Sequence, residues 1–226
     1  MKEPDHVAAC VEAMAKASDV PVTVKCRIGI DEQDDFDFLD RFVGTIADSK
    51  AGGGCQSFII HARKAWLKGL SPKQNRDVPV LDYERVLAIK EKYPQLRIIL
   101  NGGIVDIDGV QAHIETLDGV MIGREAYSNP YFLAEIEGQI FDSAAIQTRE
   151  EIARAMIPYA RSQADKFGTP IKSITRHILG LYHHQSGAKA WKRVLSTLPY
   201  EDDADASVIE HALEAQKEAA FAQSAA

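Results

Sequence analysis

The sequence predicts an α/β fold in which four parallel β/α units, the C-terminal half of a TIM (β/α)8 barrel, precede a small all-helical domain. Predicted strands alternate with predicted helices from the start of the chain. Each strand is a short apolar run with little polar interruption, as expected where helices cover both faces of a parallel sheet. Strand signals stop after Phe141, and only helical patterns follow.

The first part of the chain contains the four β/α units. Apolar runs predict strands over residues 21–26, 56–61, 97–101 and 119–122. Helical spacing predicts helices over residues 3–17, 34–49, 82–93, 106–116 and 130–141. We therefore place a partial barrel, comprising its last four strands, in residues 1–141. Because a complete barrel has eight such units, the amino end is expected to be truncated.

The second part is predicted to be helical. Apolar spacing predicts helices over residues 148–167, 170–184, 187–197 and 204–222. The segment Asp142-Ser-Ala-Ala145 is the predicted linker. Residues 148–226 are thus expected to form a helical domain with an acidic C-terminal tail, which we expect to be an exposed terminal helix.

Composition excludes several function classes. The 226 residues are 46% hydrophobic, without an apolar run of about 20 residues that could span a membrane. A cytoplasmic monomer is expected. Three cysteines, Cys10, Cys26 and Cys55, lack paired metal-binding spacing, so neither a zinc site nor a disulfide framework is predicted. The two histidines His183 and His184 are interpreted as surface residues.

Charge is unevenly distributed along the chain. The formal net charge is −7, which argues against indiscriminate binding of nucleic acids. Residues 149–193 nevertheless carry nine Lys or Arg against three Asp or Glu, a local charge of +6 that leaves −13 for the remainder. Such a basic region on an acidic protein indicates a localised contact with an anionic partner.

Polar or glycine residues stand at the carboxyl ends of all four predicted strands. Each has an ordinary alternative: a surface lysine, a structural histidine, or a common β/α turn. Their coincidence at one rim favours a phosphorylated ligand, because parallel sheets bind ligands beyond the carboxyl ends of their strands. These residues are Lys25, His61, Asn101, Gly102, Gly103, Gly123 and Arg124.

Two basic segments are candidates for nucleic-acid contacts. The loop from Arg63 to Arg76 carries five Lys or Arg, no acid and one tryptophan, and it leaves the predicted ligand rim. A solvated loop anchored by Trp66 is the alternative. The helical part offers Arg176 and a cluster at residues 189–193 that includes Trp191, although charged helix faces are often only solvated.

Several strings of this sequence resemble one known family. They include Val22-Thr-Val-Lys-Cys-Arg-Ile-Gly-Ile30, the long string from His61 to Arg76, and Ala126-Tyr-Ser-Asn-Pro130. Together with the Asn-Gly-Gly and Gly-Arg turns, they resemble the flavin-dependent tRNA-dihydrouridine synthases, most closely the A-type (20/20a) enzymes that act on D-loop uridines. The resemblance runs from Met1 to about Pro199. It implies a barrel that holds FMN, followed by a helical tRNA-binding domain.

The resemblance also implies roles for individual residues. Lys25 and His61 would contact the flavin, whereas Asn101, Gly102, Gly103, Gly123 and Arg124 would hold its phosphate. NADPH would reduce the flavin, and a hydride would then pass to C6 of a uracil drawn out of its stack. The contacts to tRNA would come from Lys73, Arg76, Arg176, Lys189, Lys192 and Arg193.

This chain departs from the family pattern at two places. The cysteine that protonates the uracil in the family is expected upstream of Met1, so no catalytic residue is assigned here and the chain alone is expected to be inactive with weak flavin retention. The connection over residues 48–55 is expected to be a longer solvent loop. Alternative functions are a non-catalytic tRNA-binding fragment or another FMN- or phosphate-binding barrel oxidoreductase. No metal is expected.

Overall fold

The computed structural model describes residues 1–48 and 54–225. The chain divides into two compact units, Met1–Gly123 and Arg124–Ala226. This division lies before the predicted linker, residues 142–145, which belongs to the second unit. The predicted loop insertion over residues 48–55 lies mostly outside the described residues.

The first unit is built on a parallel four-stranded sheet. The strands are ordered β1-β2-β3-β4, so each strand pairs with its neighbour in sequence, as in successive β/α units. The predicted α/β class with a parallel sheet is therefore confirmed, while closure as half of a barrel stays a prediction. The strands are β1 Val24–Arg27, β2 Ser57–His61, β3 Arg97–Asn101 and β4 Gly119–Met121.

Three of the helices in this unit begin at aspartates. The side chains of Asp35, Asp82 and Asp106 each accept a hydrogen bond from a backbone N–H in the first turn, which satisfies a donor that has no partner inside the helix. These caps explain where α2, α4 and α5 start. The helices are α1 Pro4–Ala17, α2 Phe36–Ala47, α3 Gln74–Asp77, α4 Tyr83–Lys92 and α5 Ile107–Ile114.

The core of the first unit surrounds β2 and β3. Phe58 and Ile60 on one face of β2 are fully buried, and Ile59 on the other face is also buried. This burial on both faces explains why the strand is continuously apolar. Ile98 and Leu100 of β3 are likewise fully buried. The carboxyl ends of both strands therefore directly follow buried residues.

The second unit consists of helices and turns. Its longest helix starts at a capping box, in which Thr148 and Glu151 bond each other's backbone N–H groups. The elements are α6 Arg124–Ser128, α7 Phe132–Gln139, α8 Arg149–Phe167, α9 Ile171–Thr175, α10 Ala188–Thr197, the 3-10 helix Leu198–Tyr200 and α11 Val208–Ser224. Among the described residues, the helices are too short or too polar to cross a membrane.

Two predictions for the helical part are wrong. The helix predicted over residues 170–184 ends at Thr175. Beyond it the chain continues in turns with hydrogen bonds between residues three positions apart, such as the 3.1 Å bond that the Ile178 N–H donates to the Thr175 carbonyl oxygen. The C-terminal helix is not simply exposed. Its spacing places Ile209 and Leu213 on one face, which is buried against α10.

Candidate functional site

The carboxyl ends of the four strands present one row of residues. Arg27 of β1 is in register with His61 of β2, which is in register with Asn101 of β3 and then Met121 of β4. Registered residues of a sheet point to the same face. Lys25, two residues before Arg27 on the same strand, shares that face.

Lys25 and Asn101 are joined directly. Lys25 Nζ donates a hydrogen bond of 2.9 Å to Asn101 Oδ1, and Asn101 Nδ2 donates one of 2.8 Å to the carbonyl oxygen of Met121. The amide of Asn101 is thus fixed from both sides. Partial desolvation lowers the pKa of Lys25, which is still an exposed residue, and the nearby Arg27 lowers it further.

The turn after β3 requires glycine. Gly102 and Gly103 have φ values of 114° and 78°, which L-residues rarely adopt. A Cβ on Gly102 would lie 2.6 Å from His61 Cδ2, and the Tyr83 hydroxyl donates a hydrogen bond of 3.0 Å to the Gly102 carbonyl oxygen. The turn therefore packs tightly against His61 and Tyr83.

Gly123 differs from these two glycines. A Cβ at Gly123 would meet no atom of the described residues within 4 Å, and its φ lies outside the range that favours glycine. Neither backbone strain nor packing within the protein thus demands glycine here. A phosphate contact at Gly123 stays a prediction.

A cavity of about 540 Å³ lies at this rim. Lys25, Arg27, His61 and Asn101 line one part of it, and Arg76 adds a further positive charge. The described residues that line it include no carboxylate. The cavity thus has the volume of a small-molecule site and a positive charge that suits an anionic ligand. The apolar part of the lining comes from Ala65, Trp66, Leu67, Leu70 and Pro72.

Arg27 is a site residue that the sequence analysis missed. It donates hydrogen bonds of 2.7 Å to the Lys64 carbonyl oxygen and 2.9 Å to that of Asn75. Desolvation lowers its pKa, and the positive charges of Arg63 and Arg76 lower it further. The predicted strand ended at Cys26. The alternation of Lys25 and Arg27 along the strand is the signal that could have identified it.

The residues predicted to contact tRNA are all exposed. Lys73 and Arg76 lie in the loop after β2, and Arg76 also lines the cavity. Lys189, Lys192 and Arg193 lie at i, i+3 and i+4 on α10, so they share one helix face. Arg176 follows α9. Their contacts with RNA stay a prediction.

Trp191 does not belong to this basic face, contrary to the sequence-based expectation. Its side chain is fully buried in the core of the second unit, and its ring N–H donates a hydrogen bond of 3.0 Å to the Ile178 carbonyl oxygen. Trp191 therefore anchors α10, and the charged residues around it point away from the core.

Comparison with known proteins decides the family. The family model for dihydrouridine synthase (Dus) matches residues 1–220. The chain belongs to the dihydrouridine synthase family. The family that the sequence motifs predict is thereby confirmed.

Individual members of the dihydrouridine synthase family are similar over most of this chain. A tRNA-dihydrouridine(20/20a) synthase from Vibrio cholerae is 48% identical over 214 residues, which are 94% of this chain and 64% of that protein. The same-named protein from Shewanella oneidensis is 49% identical over 92% of this chain and 61% of its own length. The chain thus spans less than two thirds of the length of these relatives.

None of the three cysteines of this dihydrouridine synthase chain is among the residues that line the described cavity. Cys26 and Cys55 are buried, and desolvation raises the pKa of Cys26 to about 12. Cys10 is exposed on α1, with its Sγ 4.0 Å from His6 Nε2. Low pKa and exposure favour thiol reactivity, so the two buried cysteines are poor candidates for chemistry.

Two other sequence-based expectations bear on the site of this family member. Within residues 1–48 and 54–225, no three His, Cys, Asp or Glu side chains are grouped to hold a metal ion. His183 is partly exposed and His184 is exposed, and their ring centroids lie 3.9 Å apart with the rings tilted by 54°. They lie in a turn and not, as expected, on a helix.

Arg124 is exposed at the start of α6, and its role stays a prediction.

Proposed function

We propose that the first unit forms part of an FMN site and that this chain contributes to the reduction of uridines 20 and 20a of tRNA to dihydrouridine, with NADPH as reductant. The observation that carries this proposal is the convergence of Lys25, His61 and Asn101 on one cavity, with the turn of Gly102 and Gly103 directly after Asn101. The names of the similar proteins support the substrate.

The residues of the rim fit FMN in two different ways. Backbone N–H groups at Gly102, Gly103 and Gly123 would hold the phosphate, since glycine permits close approach of a phosphate to the backbone. Arg124 would add a bidentate donor. Lys25 and His61 would face the flavin ring. Bound there, the flavin supplies hydride transfer from NADPH to the uracil.

Lys25 would serve the chemistry through its charge. Once a bound ligand covers it, an ammonium stabilises negative charge on a neighbouring group more strongly than a hydrated one does. Asn101 holds this ammonium at 2.9 Å, so little reorganisation is needed when charge develops. The His61 ring, packed against Gly102, is similarly fixed and can donate a hydrogen bond to a flavin oxygen.

The basic residues would bind the RNA. Lys73 and Arg76 lie on the loop that borders the cavity, where phosphate contacts would position the target nucleotide. The α10 face of Lys189, Lys192 and Arg193, with Arg176, would hold a second part of the tRNA. The uracil would leave its stack to enter the cavity.

Proton donation to the uracil is not assigned to this chain. None of its three cysteines lines the described cavity, so we predict that the polypeptide alone forms no dihydrouridine. A segment exchange tests the function despite this. The 214 aligned residues of the Vibrio cholerae relative would be replaced by this chain and the tRNA analysed by mass spectrometry.

The expected result of the exchange is NADPH-dependent dihydrouridine at positions 20 and 20a. The same chimera carrying Lys25→Met should lose most of this activity. A folded chimera that binds tRNA but modifies no uridine would overturn the enzymatic proposal. It would favour the alternative of a non-catalytic tRNA-binding protein.

Cofactor choice has a separate test in the chain itself. FMN and riboflavin share the ring system and differ in the phosphate, so titrating both isolates the phosphate contacts. We expect weak binding overall, with FMN bound about tenfold or more tightly than riboflavin, since charge-assisted hydrogen bonds contribute about 1.5–3 kcal/mol. Equal affinities would contradict a phosphate site.

A further inference from the structure

Arg27 connects the end of β1 to the loop that follows β2. Its Nη1 donates to the Lys64 carbonyl oxygen at 2.7 Å and to the Asn75 carbonyl oxygen at 2.9 Å. These carbonyls lie near opposite ends of one loop, residues 64–76. One guanidinium thus ties both ends of the loop to the strand that carries Lys25.

Asn75 ties the loop from inside. Its side-chain Nδ2 donates to the Trp66 carbonyl oxygen at 2.8 Å, and its Oδ1 accepts from the Trp66 N–H at 2.8 Å. The Asn75 N–H also donates to the Ser71 carbonyl oxygen at 2.9 Å. One amide side chain therefore satisfies both backbone groups of Trp66.

The loop after β1 supports the same segment. The Asp31 N–H donates to the Ala65 carbonyl oxygen at 2.8 Å, and the Asp31 side chain accepts from the Leu67 N–H at 2.8 Å. Asp31 adopts a φ of 50°, an unusual conformation for a residue with a side chain. This local strain is maintained by the bonds to residues 65 and 67.

These bonds position side chains that line the cavity. Trp66 and Arg76 line it together with Lys25 and His61. Arg27 is close enough to Arg63 and Arg76 that their positive charges lower its pKa. Like charges near one another repel, so the loop needs fixed anchors to hold this arrangement when no anion is bound.

We propose that Arg27 and Asn75 form a bracket that positions the basic loop, residues 64–76, at the mouth of the cavity before RNA binds. Arg27 is a positioning residue in this scheme, acting through Trp66 and Arg76. A loop that is already ordered loses less conformational entropy on binding. The identity of the RNA rests on the proposed function, whereas the existence of the bracket does not.

The test begins with hydrogen exchange in the free protein. Arg27→Lys keeps the charge but replaces the planar fork, and Asn75→Ala changes no charge. We expect the amides of Ala65, Trp66 and Leu67 to exchange about tenfold faster in both variants, because their local opening becomes easier. Unchanged exchange at Ile60 and Ile99 would show that the variants are folded. Lys68→Ala, an exposed residue of the same loop, should leave all these amides unchanged.

The second measurement is tRNA affinity as a function of salt concentration. The bracket variants should bind about three- to tenfold more weakly with an unchanged salt slope, because they lose order and not charge.

The outcomes separate the two proposals. Wild-type rates of hydrogen exchange in both Arg27→Lys and Asn75→Ala would overturn the proposal that these two residues order the loop. Faster exchange with unchanged tRNA affinity would overturn its role in positioning the loop for RNA. If the wild-type chain itself fails to bind tRNA, the proposed function fails, and the exchange data alone still decide whether the bracket exists.

Discussion

Lys25 and Asn101, separated by 76 positions in sequence, are joined by a 2.9 Å hydrogen bond between Nζ and Oδ1. They lie on strands β1 and β3, with β2 between them. Because Asn101 also bonds the Met121 carbonyl oxygen, three of the four strand ends are connected at the level where the cavity opens. The predicted flavin contact and the predicted phosphate turn thus share one hydrogen-bonded unit.

Replacing Lys25 should weaken flavin binding while sparing the fold. In Lys25→Met the methylene stem is kept and the partly desolvated ammonium is removed. Because desolvation opposes the charged form of Lys25, removing that charge should leave stability unchanged or slightly increased. We expect an FMN dissociation constant about tenfold higher, measured by flavin fluorescence. A large drop in melting temperature would instead assign Lys25 a structural role.

Three glycine substitutions should separate backbone strain, crowding and ligand contact. Gly69→Ala introduces strain alone, because φ is 87° and no described atom lies within 4 Å. Gly102→Ala adds a collision with His61. It should therefore lower the free energy of unfolding, measured in urea, by about 1–3 kcal/mol, which is more than Gly69→Ala should. Equal destabilisation by both would contradict the packing of His61 on the turn.

Gly123→Ala is the informative member of this series. A Cβ there contacts nothing among the described residues, so the free energy of unfolding should stay within about 0.5 kcal/mol of wild type. The preference for FMN over riboflavin should nevertheless decrease, since the methyl group occupies the proposed phosphate approach. Retention of that preference would place the phosphate elsewhere.

Alkaline pH should destabilise the protein partly through Cys26. Desolvation raises its pKa in the folded state to about 12, whereas an unfolded cysteine ionises near about 8.5. The folded state therefore holds the proton more tightly. This contribution is fully present below the unfolded pKa and is lost as pH rises towards 12, by up to about 1.4 kcal/mol per pH unit.

Urea unfolding between pH 8 and 11 checks this prediction. Cys26→Ala should show a flatter decline of stability with pH than wild type. Cys10→Ala, which removes an exposed thiol, is the matched control for loss of a cysteine. Parallel curves for Cys26→Ala and wild type would show that the Cys26 proton does not contribute.

Neutralising the α10 face should weaken tRNA binding electrostatically. Lys189, Lys192 and Arg193 are exposed on one side of α10, and removing one ion pair with a phosphate should reduce the salt slope by about one. The control is Lys217→Ala, because Lys217 is exposed in the same unit but bonds Glu150 at 2.7 Å. An equal effect of the control would indicate only a general charge effect.

Local sequence signals predicted some elements better than others. β3 was predicted with its observed bounds, because Arg97 and Asn101 flank an apolar run. The helix predicted beyond Thr175 failed because tertiary contacts compete with helical spacing. Gly180 packs so closely on the Ser128 carbonyl oxygen that an added Cβ would lie 2.1 Å away, which a sequence pattern does not reveal.

The site was predictable only where residues end a strand. Lys25, His61 and Asn101 were identified because strand ends of a parallel sheet meet at one rim. Arg27 was missed because β1 extends one residue further than its apolar run. The fixed loop around Asn75 depends on hydrogen bonds between segments far apart in sequence. Trp191 was misassigned because charged neighbours concealed its burial.

Chemical-shift mapping of the labelled chain during titration with FMN tests the central claim most directly. We predict that the backbone amides of Gly102, Gly103 and Gly123 and the side-chain amide of Asn101 shift together and saturate at one FMN concentration. Riboflavin should perturb the glycine amides less. Shifts confined to residues away from this rim, or identical shifts with both ligands, would contradict a flavin phosphate site at the ends of these strands.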